Sequence, residues 1–578
     1  LLKNKYRAFK FELFAFYALD ILLIIFEIKS SADGSLIKIF KNPALLTIFL
    51  VPQILINLQY YFYNSKKLLA KYSAYIYLGL AIILNFIAIF NTQTRGVLVG
   101  LFGALIAVAL FLLFSKYVNK KLKLIISGIL LLGILLVYSI FVFKNSSFVQ
   151  ENNTLQRVAS ISFDDATTKT RLLTWQLSLE GFKEKPILGW GEENFYRVFN
   201  KYFPVEIFEH SASRVWFDRP HNVFLQQLVH GGILGLLSYL AIFFFAFKNL
   251  FIHYRKSKDV KTISIFGGLL IAYLIQNFFV FDSLNSYIPM VLLLAITVFL
   301  SGHKKSLEEK VSRQSLLKPT ILFLVVIIVG GFLNLAQINT NKSFIKQYRA
   351  NAASGFDADR NNQLLATINN VYLGKFELRQ VYSEFAGALT KDVNVPLSIK
   401  KSFIASADKE LLASIEEQPD NVRHHSFLVN LYAAAAFINP DYAQKNIDLI
   451  KDKALKLSPN RTQLYYSLGG AYMIQQNHEQ SLSYFWQAQE LSPTVFGSYL
   501  NLFSTYLVIN DIENAALVIQ KMEENVIYLT AENYNQVANM YLRLDMIDEA
   551  EALFNTAVAK YPEDLRLLSS LILYYHQQ

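Results

Sequence analysis

The sequence contains no cysteine. Disulfides, thiolate nucleophiles and cysteine-ligated metals are therefore excluded from its fold and chemistry. Charge is also scarce. Asp, Glu, Lys and Arg make up 17% of the 578 residues against 53% hydrophobic residues, and mean hydropathy is +0.30. Such a balance is too apolar for a soluble protein of this length. The apolar residues gather in long runs within 1–340, whereas 341–578 reads as ordinary soluble helical protein. One part belongs in a bilayer and the other in water. No signal-peptide pattern opens the chain, which begins Leu1-Leu2-Lys3 without an initiator Met, so further membrane segments are expected upstream. The net charge of +11 is spread over short loops between apolar runs. There it orients a membrane protein, and nucleic acid is not an expected partner.

A membrane span needs about 20 apolar residues. The runs that qualify are Phe11–Ile28, Pro43–Tyr63, Tyr72–Phe90, Gly96–Phe114, Leu122–Phe143, Val223–Phe247, Ile263–Phe281, Tyr287–Leu300 and Thr320–Ile338. Lys and Arg cluster before the first of these and after the second, fourth, sixth and eighth, as in Lys116, Lys120, Lys121 and Lys123. If the spans alternate, these clusters share one side, and that side is cytoplasmic. The C-terminal part and the long loop Lys144–Asn222 then lie outside the cytoplasmic membrane. The loop carries ten basic and ten acidic residues, so it is no simple cationic patch. With Trp175, Trp190, Trp216, Phe195, Tyr196 and Tyr202 it holds too many aromatics for disorder.

Beyond position 340 the reading is mixed helix to about 420, with a loop over Ala350–Asn362, and then a repeat. Tyr465, Leu468, Gly469, Tyr472, Ser481, Phe485, Ala488 and Pro493 recur at identical spacings as Tyr534, Val537, Ala538, Tyr541, Ala550, Phe554, Ala557 and Pro562. A weaker copy runs through Tyr499, Leu502, Tyr506, Ala515 and Ile519, and a degenerate one spans Asn421 to Pro459. These residues resemble the tetratricopeptide repeat, two antiparallel helices per unit. Neighbouring units must stack to bury their apolar faces, and the stack offers a concave surface. Two roles stay open for it: binding a protein partner, or acting as a spacer.

Arginines beside a membrane are functional hypotheses by default, because a charge there is costly. Arg95 lies in Thr94-Arg95-Gly96, at the outer mouth of a span, either as a snorkelling interfacial residue or as an anion ligand. Arg171 lies near the N-terminus of an expected amphipathic helix whose stripe is Leu172, Trp175, Leu179 and Phe182. It is either a solvated residue paired to Asp164 or Asp165, or an anion ligand beside free helix N–H groups. His221, in Pro220-His221-Asn222, stands where a span begins and is the one titratable group of the set near neutral pH. Arg219 and Asn222 flank it as further candidates. Trp175 and Trp190 could stack on sugar rings or fill a core, Gly189 and Gly191 set a turn, and Glu192 or Glu193 offers an alternative base. Arg157, Arg197 and Arg214 complete the arginines of the loop, which has no Asp-x-Asp metal motif.

Taken together, these segments resemble one family. Arg171-Leu172-Leu173-Thr174-Trp175, Lys185-Pro186-Ile187-Leu188-Gly189-Trp190-Gly191, Arg219-Pro220-His221-Asn222-Val223-Phe224-Leu225-Gln226 and Gly231-Gly232-Ile233-Leu234-Gly235 resemble the O-antigen ligase and polymerase family, and Thr94-Arg95-Gly96 fits its upstream arginine motif. The resemblance implies an all-α fold: a polytopic transmembrane domain of the GT-C type over 1–340 with the outer loop 144–222, a helical connector over 341–420 and an outer repeat solenoid over 421–578. It implies a metal-independent glycosyltransferase, without cofactor, that takes a glycan from a polyprenyl-diphosphate carrier to a glycan, lipid or protein acceptor. Arg95 and Arg171 would bind the diphosphate, and His221 would be the catalytic histidine. Ligation, polymerisation and protein glycosylation all remain open. So do a non-catalytic membrane scaffold displaying the repeats and a transporter of lipid-linked glycan.

Overall fold

The structure is a computed structural model that describes residues 95–160, 165–207, 216–302, 358–371, 374–526 and 529–569, with scattered positions between 321 and 346 and at 572. The spans expected at Phe11–Ile28, Pro43–Tyr63 and Tyr72–Phe90, and most of Thr320–Ile338, lie outside the described residues. Among the described residues there is helix and no strand. In chain order the helices of the first half are α1 (Arg95–Phe114), α2 (Lys120–Val142), α3 (Ser147–Gln150), α4 (Asn153–Ala159), α5 (Ala166–Glu184), α6 (Phe195–Lys201), α7 (Val223–Ser257), α8 (Val260–Asn277) and α9 (Leu284–Leu300). Those of the second half are α10 (Ala358–Asn369), α11 (Lys375–Leu389), α12 (Leu397–Glu417), α13 (Val422–Ala435), α14 (Pro440–Leu457), α15 (Thr462–Ile474), α16 (His478–Leu491), α17 (Phe496–Val508), α18 (Ile512–Asn525), α19 (Ala531–Arg543) and α20 (Ile547–Lys560). The chain divides into two compact units. The first holds the described residues up to Asp165 with His221–Leu228 and Ile233–Lys305; the second holds Ala166–Pro220, Val229–Gly232 and the described residues after Ser306.

In the first unit α1, α2, α7 and α8 are long and apolar enough to cross a membrane, and α9 ends in the shorter apolar stretch Pro289–Leu300. The protein is thus a multi-pass membrane protein. α2 starts at Asn119, whose side chain caps the Leu122 amide at 2.8 Å. None of its residues is buried in the protein, and Leu124, Ile129 and Leu131 are exposed, as on a lipid-facing helix. α1 lies tight against α8: a side chain at Gly100 or Gly103 would press on the Ala272 carbonyl or the Ile275 side chain. A second core joins α7, α8 and α9 through Phe243, Leu250, Phe266, Leu270 and Leu293.

In the second unit the long loop before α7 has its own core of Leu177, Phe195, Val198, Phe199, Phe203 and Ile207, joined by Val229. The buried face of α5 differs from the expected stripe. Leu172 and Leu179 are exposed, and the helix instead buries Thr170, Thr174, Leu177, Ser178 and Gly181. The reason is close packing: a methyl at Gly181 would meet Val198 at 2.4 Å, so α6 needs a small-residue face there. The hydroxyls of Thr174 and Ser178 bond back to the Arg171 and Thr174 carbonyls, which makes their burial inexpensive.

The C-terminal helices pair antiparallel, with Phe485 seated over Gly469 and with Ala488, Ala550, Phe554 and Ala557 buried where helices cross. Ala350–Asn362, expected as a loop, is helical from Ala358 onward. The helices expected as a connector share one core with the first repeat, running through Leu364, Tyr382, Phe403, Leu411, Tyr432, Ile447 and Leu468. The repeat part and the loop meet within this unit. Arg461, fully buried at the start of α15, donates to Asn200 Oδ1 at 2.9 Å, and its guanidinium lies 3.9 Å from the Trp216 ring centre and 4.2 Å from that of Phe203.

Candidate functional site

In the first unit Arg95 is the first residue of α1 and its side chain lies outside the described residues. The turn it opens is held by Gly96, where a methyl would sit 3.4 Å from Phe279 Cβ. His221 has a left-handed backbone with φ of +55°. That conformation is costly for a residue with a side chain, and it persists only where the surroundings enforce it. The imidazole stands edge-on to Phe281, with centroids 5.2 Å apart and planes at 78°. The first turn of α1 and His221 therefore abut one short segment, Phe279–Phe281, between α8 and α9. Asn222 is committed elsewhere. It is buried, and its side-chain oxygen caps α7 by accepting from the Phe224 and Leu225 amides at 3.0 and 3.2 Å.

Directly after Phe281 comes a buried carboxylate that sequence reasoning missed. Asp282 accepts from Asn277 Nδ2 at 3.1 Å, Ser286 Oγ at 2.9 Å and Tyr273 Oη at 2.5 Å, and Asn277 also donates to Tyr239 Oη at 3.0 Å. This polar cluster fixes the ends of α8 and α9 and so the segment on which His221 rests. The signal was present as Phe281-Asp282-Ser283 between two apolar runs, with Tyr273 and Asn277 one helical turn apart.

In the second unit Arg171 lies in the second turn of α5, which begins at Ala166. The free N–H groups expected beside Arg171 thus belong to residues one turn earlier. Trp175, one turn further on, donates Nε1 to the Pro220 carbonyl at 3.0 Å, and Thr174 Oγ1 reaches the same oxygen at 3.3 Å. Arg219 donates to Glu193 Oε1 at 2.8 Å, and Asp218 lies 3.9 Å from its Nε. Glu192 Oε1 is 3.1 Å from Nδ1 of the buried His230. Trp190 is a packing residue: Nε1 donates to the Gly181 carbonyl at 2.8 Å and Lys185 Nζ sits 4.2 Å above the ring. Arg171 and His221 fall in different units. Among the described residues no group of three His, Asp or Glu side chains could hold a metal ion.

The glycines of the two sequence motifs have a joint explanation. α7 is broken at Gly232, with φ of +61° and ψ of −156°. The break releases carbonyls of the preceding turn, and the loop uses them: Trp190 N donates to the Val229 carbonyl at 2.7 Å and Gly191 N to that of His230 at 2.9 Å. A methyl on Gly189 would lie 2.5 Å from the His230 oxygen, and one on Gly232 2.3 Å from the Ile187 oxygen. Pro186–Gly191 and Val229–Gly232 are two halves of one interlock, where sequence reasoning saw only a turn.

Comparison with known proteins finds two family models along the chain. Residues 80–240 match the family model described as O-antigen ligase, and residues 462–495 match that of the tetratricopeptide repeat. No curated protein matches the chain. A similar solved structure is a thermophilic TPR protein of Thermus thermophilus, 18% identical over 34% of this chain and 98% of that one, with a TM-score of 0.24. The chain thus combines a stretch similar to the O-antigen ligase family, within a part rich in helices apolar enough to cross a membrane, with a stretch similar to the tetratricopeptide repeat.

Proposed function

We propose that the protein transfers a glycan from a polyprenyl-diphosphate carrier to an acceptor hydroxyl on the outer side of the cytoplasmic membrane. The acceptor oxygen attacks the anomeric carbon, the bond from that carbon to the diphosphate oxygen breaks, and the polyprenyl diphosphate leaves. Attack opposite the leaving group inverts the anomeric centre. Arg95 and Arg171 bind the diphosphate and offset the charge that grows on it, a task for which the fixed planar guanidinium is suited. No metal ion is needed for that neutralisation. His221 takes the proton of the acceptor hydroxyl.

The observation that carries this reading is the shared seat of two of the three groups: the first turn of α1, opened by Arg95, and the strained, ring-packed His221 both rest on Phe279–Phe281. A scaffold would need neither the strain at His221 nor a buried carboxylate behind its seat. The test is replacement of Arg171 or His221 by Ala in cells, with membrane levels of the protein matched to wild type, while the surface glycans are profiled. Each variant is expected to lose the glycan that vanishes on deletion of the gene. A fully active His221→Ala protein would remove the base assignment, and a deletion strain with unchanged surface glycans would remove the transferase.

A further inference from the structure

We propose that the end of the first unit where α1, α2, α7 and α8 meet binds the phosphate of an anionic membrane phospholipid, with Lys116 and Lys258 as its ligands. Every residue involved lies in that unit, and the transferase reading is not needed. Lys116 belongs to the turn between α1 and α2, and Lys258 to the turn between α7 and α8. Their ammonium groups converge on one ring: Nζ lies 5.4 Å from the centre of Tyr117 for Lys116 and 6.0 Å for Lys258. That ring is exposed, and Tyr254 of α7 meets it edge-on with centroids 6.0 Å apart. Lys120, Lys121, Arg255 and Lys261 are exposed on the same two turns and their flanking helix ends.

Asp259 is the single acidic residue in 115–123 and 248–262, and α8 uses its carboxylate. Oδ1 accepts from the Lys261 and Thr262 amides at 3.1 Å, and Oδ2 from Thr262 Oγ1 at 2.6 Å. Lys256 is spent on the Ser301 carbonyl, 3.1 Å away beyond the end of α9. Lys258 carries a further mark. It ends α7 with a left-handed backbone, φ +55° and ψ +20°, which glycine adopts at least cost. Orienting a chain by positive charge requires only the number of lysines at one end of its spans. It requires neither their convergence on one ring nor a lysine where the backbone favours glycine. A phospholipid phosphate accounts for both, since it accepts from the two ammonium groups and offsets their repulsion. Tyr117 suits the boundary between headgroups and acyl chains, and the exposed Phe114 and Phe251, within two turns of the same helix ends, offer surface to the chains.

The experiment uses the full chain in a neutral detergent. Phosphatidylglycerol is titrated in and bound lipid is counted by native mass spectrometry, with phosphatidylcholine and inorganic phosphate as comparison probes. Each lysine beside a membrane anion is worth about fivefold in affinity, so Lys116→Gln/Lys258→Gln should lose about 25-fold for phosphatidylglycerol. Lys144→Gln/Lys409→Gln removes the same charge beyond the far end of α2 and in α12, and should stay within about twofold of wild type. Lys258→Gly separates binding from stability. It should raise Tm by relieving the left-handed backbone while lowering phosphatidylglycerol affinity about fivefold. Equal losses in the two double variants would reduce the effect to net charge and overturn the proposal. So would equal retention of phosphatidylcholine by the wild type, or displacement of the lipid by inorganic phosphate beyond that by chloride of equal ionic strength. A stabilised Lys258→Gly protein that binds like wild type would remove Lys258 from the site. Should the double variant fail to fold, Lys258→Gly and Lys116→Gln carry the test singly, each expected to lose about fivefold.

Discussion

Replacing Gly232 by alanine would add one methyl group 2.3 Å from the Ile187 carbonyl oxygen and 2.7 Å from that of Pro186, at a φ of +61°. Neither obstacle is the end of a flexible side chain; both are backbone. The interlock must then open, or the strain must be carried. A residue with a side chain in such a backbone conformation costs roughly 1–3 kcal/mol. The Trp190 and Gly191 bonds to α7 oppose opening equally in both proteins, so the strain alone shifts the balance, by roughly 1–3 kcal/mol, raising the undocked fraction about 5- to 150-fold. Gly231 is the internal control. Nothing lies within 4 Å of a methyl placed there, so Gly231→Ala meets no obstacle, and in a helix alanine is favoured over glycine by about 1 kcal/mol. Hydrogen exchange of the Trp190 and Gly191 amides in the detergent-solubilised protein reads the docking directly. Gly232→Ala should lose their protection and most of the transfer activity, and Gly231→Ala should keep both. Equal protection in the two variants would refute the interlock.

Two further outcomes follow from the second unit. His424 is buried at the start of α13, and burial first, then the charges of His425 and Arg423, pushes its pKa down to about 4. The folded form keeps it neutral while the unfolded chain protonates near 6.5, so its contribution is complete above pH 6.5 and drains away between 6.5 and 4. A midpoint-against-pH series for thermal unfolding should fall over that window by an amount equivalent to about 3 kcal/mol, and His424→Gln should flatten the slope; an unchanged slope counts against the assignment. Arg461→Ala strands Asn200 and empties the space between Trp216 and Phe203, a loss of roughly 2–5 kcal/mol seen as a lower Tm and faster trypsin cleavage of the long loop before α7. Arg461→Lys should rescue little of it, because an ammonium cannot stack as a plane. A Lys variant equal to wild type would refute the cage.

Much of this architecture was readable from composition and spacing. Gly96–Phe114 and Leu122–Phe143 declared themselves by apolar length alone, since a membrane span is set by bilayer thickness and needs no partner to be recognised. The Tyr465–Pro493 and Tyr534–Pro562 copies declared the repeat because stacked units reuse the same crossing positions. What stayed hidden depends on neighbours distant in sequence. The buried face of α5 is chosen by Val198, which demands a glycine at 181, and no periodicity within α5 reports that. Asn222 looked like a candidate ligand because it adjoins His221, yet its oxygen is taken by the amides that begin α7. The paired glycines at 231 and 232 are identical in sequence and opposite in role.

The family-like motifs mix two kinds of residue, and the structure separates them by what each side chain can still do. Gly189, Gly191 and Gly232 exist to let two backbones approach; Trp190 and Trp175 spend their indole N–H groups on the Gly181 and Pro220 carbonyls; Asn222 spends its oxygen on a helix cap. Each of these is fully used by the fold, and a donor lipid could claim it only by undoing a bond. His221 has a left-handed backbone, and its ring meets Phe281 edge-on. Backbone strain survives only where neighbouring bonds enforce it, and within its unit the cap that Asn222 makes on α7 fixes the residue after His221. A glycine at 221 would satisfy that backbone with less strain, so the presence of histidine there supports the base role proposed for it.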